Sequence, residues 1–279
     1  YYAEITYLDG ELGGCMDVVD ASGQKDNTIV IFTSEQGFHL PFGKWTCYDL
    51  GLKTAFIVRW PAKVEAGSRS RTMTQYVDVT PTLIEAAGGK PESIDTGRPD
   101  ANGEKGFDGR SFMDVLLARG DSHRDYVYGA HTTRGIIRGS ACYPVRSVRS
   151  ERYKYIWNPN YRSVFYNVTS TDPNSVYSAW MELGENDPEI RRRVRRYQYR
   201  TEEELYDLEH DPYEMKNLAA DPAYADIKGR LRAELERWMK QQGDEGVNTE
   251  LRAIERQGRN RQWKPYSPYR DSRRSKTAR

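Results

Sequence analysis

Residues 28–61 place two short apolar runs on either side of a polar loop, and this pattern constrains the fold more than any other stretch. The runs, at residues 28–32 and 54–60, are rich in β-branched and aromatic side chains. Neither alternates cleanly between apolar and polar residues, which is typical of strands buried on both faces. Because ligands of open α/β sheets gather at the carboxyl ends of strands, the loop is predicted to border a functional site.

Glu35, Gln36 and Lys44 are the chemically distinctive residues of this loop. A carboxylate and an amide oxygen are ligands that Ca²⁺ prefers in proteins. The adjacent Glu35 and Gln36 are therefore predicted to hold a hard divalent cation.

The same stretch resembles the second half of the signature of the type I, formylglycine-dependent sulfatases, which belong to the alkaline phosphatase-like superfamily. In that family a strand of the form N-T-[IV]-[IV]-[IV]-F-T-S runs into an acidic metal pair, a Gly and then a Lys. Here residues 27–34 read NTIVIFTS, and Glu35-Gln36 replace the usual Asp-His or Asp-Asn pair. The replacement keeps two oxygen donors but leaves the choice of metal open. Residues 204–218, ELYDLEHDPYEMKNL, resemble a second long sulfatase motif.

The resemblance implies an α/β fold, with an alkaline phosphatase-like sheet and flanking helices that is incomplete at its amino terminus. Residues 1–125 are assigned to this catalytic part, and its mostly parallel sheet is predicted to contain residues 28–32 and 55–59. Residues 126–245 are assigned to a smaller carboxyl-terminal α+β subdomain. Its antiparallel sheet is predicted to contain residues 145–148, 153–155 and 205–207, because the pattern changes from buried strands and helices to hairpins. Residues 246–279 form a basic tail.

The family cleaves sulfate esters with a formylglycine that is made from the Cys or Ser of a C/S-x-P-x-R sequence. Residues 142–146, CYPVR, match by letters, but they follow the metal-pair strand, whereas the family places the nucleophile upstream of it. Tyr1 also falls inside a helical pattern. The chain is therefore interpreted as a fragment that is inactive alone, with the formylglycine and the first two Asp metal ligands in a missing amino-terminal part.

The resemblance assigns roles to three further residues. Lys44 corresponds to the catalytic, sulfate-binding lysine of the family. His131 and Arg134 follow a predicted strand and resemble the substrate-facing loop of the heparan N-sulfatase-like branch. The implied substrate is a sulfated sugar or glycosaminoglycan-type chain, and the implied cofactors are Ca²⁺ and the formylglycine of the missing part.

Two alternatives remain open: a phosphatase or phosphodiesterase of the same superfamily, and a non-catalytic glycan-binding relative. The first usually carries His-rich zinc sites, for which Glu35-Gln36 is a poor pair. A net charge of +1 gives no reason to expect nucleic acid binding, and no apolar run is long enough to span a membrane. The family suggests a periplasmic, secreted or lysosomal protein, and the sequence leaves the oligomeric state open.

Residues 180–199 are predicted to be helical, with a second part that starts at Asp187-Pro188-Glu189. Five arginines fall between Arg191 and Arg196. Because arginines so closely spaced cannot all face one side of a helix, the run favours a solvated surface over a polyanion site. Residues 2–19 and 224–241 are predicted to form amphipathic helices.

Overall fold

The computed structural model describes residues 1–133 and 138–256, and the chain forms two compact units. The first unit comprises Tyr1–Glu35 and Thr54–Arg124, and the second comprises Gln36–Lys53 and the described residues from Asp125 onward. The polar loop therefore belongs to a different unit from the two strands that flank it.

The secondary structure follows the chain in this order. The helices are α1 (Tyr2–Ala21), α2 (Asp49–Leu52), α3 (Val79–Ala86), α4 (Met113–Leu116), α5 (Val168–Thr171), α6 (Val176–Leu183), α7 (Pro188–Gln198), α8 (Ala225–Gln241), α9 (Val247–Leu251) and α10 (Ala253–Arg256). The strands are β1 (Val30–Thr33), β2 (Phe56–Arg59), β3 (Val127–His131), β4 (Val145–Arg149), β5 (Tyr153–Trp157) and β6 (Glu203–Asp207). The helices predicted over residues 2–19 and 224–241 are confirmed as α1 and α8.

Strands β1 and β2 of the first unit pair antiparallel, with Val30 opposite Arg59 and Thr33 opposite Phe56. The prediction of a mostly parallel sheet is wrong for this pair. The expected burial on both faces is also wrong, because neither strand contains a fully buried residue and Ile57 is 59% exposed. Among the described residues of this unit only these two strands pair, and a two-stranded ribbon cannot cover both of its own faces.

Helix α1 buries none of its residues. An ion pair ties its carboxyl end to β2, where the Arg59 guanidinium lies 2.7 Å from the Asp20 carboxylate. Both side chains are partly exposed, so the pair contributes at most about 1 kcal/mol.

The second unit is built on a four-stranded antiparallel sheet in the order β3-β4-β5-β6. The predicted antiparallel sheet is confirmed. Val148, Tyr155 and Leu205 pack with helix α8 in one apolar cluster. Alternate residues of the same strands, among them Val145 and Ile156, pack into a second cluster dominated by tyrosines. The period of two along each strand therefore supplies a core to both faces of the sheet.

The predicted helix over residues 180–199 consists of two helices, α6 and α7. Helix α7 begins where the sequence predicts, because the Asp187 side chain accepts hydrogen bonds from the backbone amides of Glu189 and Ile190, and Pro188 occupies the first turn. Within residues 1–133 and 138–256, no helix combines the length and the apolar character that crossing a bilayer requires.

Candidate functional site

The predicted metal pair lies at the carboxyl end of β1. Glu35 is exposed and closes the first segment of the first unit, and Gln36 is half-buried and opens the second unit. The two side chains offer a carboxylate and an amide oxygen, a donor set that suits a hard cation such as Ca²⁺. The chemistry of the pair therefore fits the predicted metal.

Lys44 lies in a tightly wound part of the loop. Its neighbours Phe42 and Trp45 both have a φ of 66°, the left-handed region that non-glycine residues rarely adopt. The Lys44 amide donates to the carbonyl of Phe38 at 2.8 Å, and its ammonium lies 5.0 Å from the centre of the Trp45 ring. Two strained residues beside one lysine cost about 1–3 kcal/mol each and are typical of a functional loop.

The backbone of this loop packs against helix α2 without intervening side chains. The Gly37 amide donates to the Gly51 carbonyl at 3.0 Å, and a Cβ at Gly51 would lie 2.4 Å from the Gly43 carbonyl oxygen. The Thr46 hydroxyl also donates to Gly43, at 2.7 Å. Glycine is required at residue 51 because a side chain would collide with fixed backbone.

A buried ion-pair network anchors helix α2 to the sheet. Lys154 of β5 places its ammonium 2.8 Å from Asp49 and 3.3 Å from Glu214, and Glu214 accepts the Asp49 backbone amide at 2.6 Å. Burial opposes the charge on Lys154, but the two carboxylates outweigh it and hold the lysine pKa above its usual value. These buried charges therefore hold the segment that carries Lys44 against the sheet, and the sequence alone did not predict them.

A second buried carboxylate fixes the residue before Asp49. Glu204 accepts hydrogen bonds from the hydroxyls of Tyr48 at 2.7 Å and Tyr206 at 2.6 Å, and from the Asn158 amide at 2.8 Å. Burial first, and then the negative charge of Glu204, raise the pKa of Tyr48 far above its usual range. Glu204 opens the second stretch that resembles a sulfatase motif, residues 204–218.

His131 ends strand β3, and its ring lies 6.0 Å from Phe165 in an edge-on contact. Burial, followed by the positive charges of Arg200 and Arg146, lowers the pKa of His131 to about 3. Its imidazole is therefore neutral near pH 7, and it can serve an anionic ligand as a hydrogen-bond donor rather than as a cation. Arg134, the predicted partner of His131, lies outside the described residues.

The loop that follows His131 begins from a fixed position. Buried Glu250 of helix α9 accepts the Thr133 amide at 2.7 Å and also the hydroxyl of Thr132. The Thr133 hydroxyl in turn accepts the Tyr143 amide at 2.6 Å. Glu250 falls within residues 246–279, which the sequence analysis assigned to a basic tail.

Lys44 and His131 are related through one aromatic cluster of the second unit. Phe42, two residues before Lys44, packs against this cluster, which includes Tyr48 and Phe165. The His131 ring contacts Phe165. The loop and the end of β3 thus share one rigid support.

The first unit contains a charged centre that the sequence analysis missed. Asp78 is fully buried, and it binds Arg124 through two hydrogen bonds, from Nε at 2.7 Å and from Nη2. Its oxygens also accept the backbone amides of Gln75 at 2.9 Å and Arg110 at 3.0 Å. Burial would raise the pKa of Asp78, but these hydrogen bonds outweigh it and hold the carboxyl pKa well below its usual value.

One other cluster carries the side chains of a metal site. Asp207, Glu209 and His210 place ligand atoms within 4.8 Å of one another. Arg152 already pairs with both carboxylates, at 2.7 Å for Asp207 and 3.2 Å for Glu209. Hydrogen bonds from Arg152 lower the pKa of Asp207 to about 2. Because the guanidinium occupies the carboxylates, this cluster is a salt-bridged turn and we assign it no metal.

Comparisons with known proteins find the same class of protein that the loop motif resembles. Residues 1–89 match the family model described as Sulfatase. Over these residues the chain is similar to the sulfatase family, in agreement with the resemblance of its loop motif.

Relatives and solved structures extend this similarity over most of the chain. It is 36% identical over 245 residues to an ulvan-active sulfatase of Formosa agariphila, and 27% identical over 256 residues to human N-sulphoglucosamine sulphohydrolase. Each match covers 88% of this chain, but only 43% and 48% of the relatives, so the chain spans less than half of their length. A protein solved with its substrate D-glucosamine-2-N,6-O-disulfate shares the fold, with a TM-score of 0.62 and 23% identity over 89% of this chain and 41% of that one.

Proposed function

We propose that the protein containing this chain is a sulfuric ester hydrolase that removes sulfate from sulfated glycans. The observation that carries the proposal is the construction of the Lys44 loop. A lysine stands between two left-handed residues, and buried Lys154 fixes the helix that follows it. The names of the relatives, which act on ulvan and on N-sulfoglucosamine, support a sulfated sugar as the substrate.

In this proposal, Glu35 and Gln36 supply oxygen ligands to Ca²⁺. Bound Ca²⁺ would polarise the sulfate oxygens, and a formylglycine from a part of the protein outside this chain would supply the nucleophile. Within the chain, Lys44 offsets the negative charge that develops on the sulfate and on the leaving oxygen. The neutral His131 donates a hydrogen bond, and Arg134 provides the positive charge at the substrate.

Substitution of Lys44 in the full-length, matured protein tests the proposal. Hydrolysis of an aryl sulfate and of a sulfated glucosamine is measured at steady state. Lys44→Ala is expected to lower kcat/KM by about 100-fold, because roughly 3 kcal/mol of transition-state stabilisation is lost. Lys44→Arg is expected to restore little activity, because a planar guanidinium does not occupy the position of a compact ammonium.

Lys53→Ala is the matched control, since Lys53 is exposed and ends the same loop segment. It is expected to leave kcat/KM unchanged. Full activity of Lys44→Ala would show that Lys44 is not a catalytic residue. Faster hydrolysis of the phosphate analogue than of the sulfate ester would show that the enzyme is a phosphatase rather than a sulfatase.

The metal assignment has a test that does not depend on turnover. Calorimetric titration with Ca²⁺ is expected to show weaker binding by at least tenfold in Glu35→Ala, because a charged ligand is lost. Glu65→Ala, an exposed glutamate elsewhere in the first unit, is the control. Equal Ca²⁺ affinity in both variants would exclude Glu35 as a ligand. We also propose a periplasmic, secreted or lysosomal location, where sulfated glycans are degraded.

A further inference from the structure

Four of the five arginines between Arg191 and Arg196 line one cavity of about 480 Å³ that is open to solvent, and three of these four are exposed as expected. Residues 191, 192, 195 and 196 recur on one face of helix α7 because they are spaced by about one helical turn. The fifth arginine, Arg193, faces elsewhere and pairs with Glu189 at 2.8 Å. We call this cavity the arginine pocket; the charged residues that line it are Arg191, Arg192, Arg195, Arg196, Arg200 and Glu204.

The charges of the arginine pocket do not balance. Glu204 is the one carboxylate among its described lining residues, and its oxygens already accept three hydrogen bonds from Tyr48, Tyr206 and Asn158. Five guanidinium groups therefore face a single carboxylate that is already engaged. A cavity with this excess of positive charge attracts anions.

Arg200 brings unsatisfied hydrogen-bond donors to the pocket. The residue is only 5% exposed, and neither of its terminal nitrogens has a hydrogen-bond partner among the described residues. Its guanidinium is held between aromatic rings, 4.2 Å from the centre of Phe165 and 5.1 Å from that of Tyr48. Buried donors without partners are costly, so an arginine held in this way is built to receive one.

The other arginines are partly positioned in advance. Arg191 donates to the Gly184 carbonyl at 2.7 Å, and Arg196 donates to the Glu214 carbonyl and stacks 4.9 Å from Phe42. Arg195 lies over the ring of Tyr199 at 5.3 Å. A guanidinium that is already stacked loses little side-chain entropy when it binds a ligand, and its planar fork suits tetrahedral oxyanions.

We propose that the arginine pocket binds a tetrahedral oxyanion, the sulfate or phosphate group of a saccharide. The preference for an oxyanion rests on the arginines alone. The choice of sulfate rests on the proposed function, since a sulfated glycan would carry further sulfate groups along the same chain.

Binding measurements at constant ionic strength test this proposal. The purified full-length protein is titrated calorimetrically with sodium sulfate, sodium phosphate, glucosamine 6-sulfate and glucosamine 6-phosphate, with sodium chloride as the blank. The double variant Arg192→Gln/Arg195→Gln is expected to weaken one oxyanion site by about tenfold or more, because two charge-assisted contacts are lost. Glutamine is a good helix former, so helix α7 keeps its stability in this variant.

Arg193→Gln is the matched control, because it removes the same charge from the opposite side of the same helix. Unchanged binding in Arg193→Gln, together with loss of one site in the double variant, supports the pocket. Equal weakening in both variants, or no oxyanion site in the wild type, overturns it. Tighter binding of the phosphate compounds would retain the pocket and assign it to phosphorylated ligands. Because these titrations measure binding and not turnover, they can also be made with an inactive Lys44→Ala protein. The proposed pocket and the proposed sulfatase activity are therefore tested independently of each other.

Discussion

The Lys154 ammonium of strand β5 lies 2.8 Å from the Asp49 carboxylate of helix α2, and only 1% of the lysine side chain is exposed. The ion pair joins two segments that are 105 residues apart. It connects the sheet of the second unit directly to the segment that carries Lys44.

Removal of this lysine is expected to destabilise the second unit strongly. Lys154→Met leaves Asp49 and Glu214 buried without their shared cation, and such a loss costs about 3–5 kcal/mol. Urea unfolding monitored by tyrosine and tryptophan fluorescence measures the change. Exposed Lys53→Met is expected to change the free energy of unfolding by less than about 0.5 kcal/mol. A similar small change in Lys154→Met would show that the buried pair makes no net contribution.

The low pKa of His131 predicts a specific dependence of stability on pH. The folded pKa of about 3 lies below the unfolded value of about 6.5, so the unfolded state binds more protons between these two pH values. This contribution is fully present above pH about 6.5 and is lost as the pH falls, with a slope of up to about 1.4 kcal/mol per pH unit.

Unfolding free energies of wild type and His131→Gln, compared between about pH 4 and 7, isolate this contribution from that of the carboxylates. The difference between the two proteins is expected to change across that range. An NMR titration of His131 near pH 6.5 would contradict the neutral assignment.

The close packing of the loop on helix α2 predicts opposite effects for two glycine substitutions. Gly51→Ala introduces a Cβ 2.4 Å from the Gly43 carbonyl oxygen, and overpacking of this kind costs about 1–3 kcal/mol. In helix α8, a Cβ added at Gly229 would meet no neighbouring side chain or segment within 4 Å, so Gly229→Ala is expected to stabilise by about 0.5–1 kcal/mol. Thermal unfolding midpoints measure the effect of each substitution. Equal shifts in the two variants would mean that the loop backbone moves to accommodate the Cβ at residue 51.

The buried Asp78 predicts a large effect in the first unit. Asp78→Asn removes the charge that compensates Arg124 and is expected to cost about 3–5 kcal/mol. Because the folded pKa of Asp78 is lowered, its contribution is present above the unfolded value of about 3.9 and is lost as the pH falls below it. Thermal unfolding at pH 7 checks the size of the effect. Asp114→Asn, in an exposed pair with Arg119, is the control, and an equally small effect at Asp78 would contradict the prediction.

The features that the sequence predicted correctly depend on local patterns. The helical period over α8, the cap at Asp187 and the hairpin formed by β4 and β5 all lie within stretches of about twenty residues or fewer. The antiparallel direction of β1 and β2 was not predicted, because an apolar run reports the tendency to form a strand but not its partner. The exposure of β1 and β2 was not predicted either, because an apolar run does not show what covers the strand.

The candidate site was predicted only where a motif marked it. Lys44 and His131 were identified by resemblance, whereas Lys154, Glu204 and Arg200 act through contacts with residues far along the chain. Tyr48 and Glu204, for example, are separated by 156 residues. A charged residue inside an apolar strand, such as Lys154 in YKYIW, was the one local signal of a buried ion pair.

The division of the chain at Glu35 and Lys53 has a consequence for protein synthesis. Residues 36–53 leave the ribosome well before their anchors Lys154, Glu204 and Glu214, and the contact from Asp49 to Glu214 spans 165 residues. At about 5–20 residues per second, the Lys44 loop waits on the order of ten to thirty seconds for its support. During that interval the aromatic side chains of the loop have no core to enter, so this segment is where a chaperone would have most to protect.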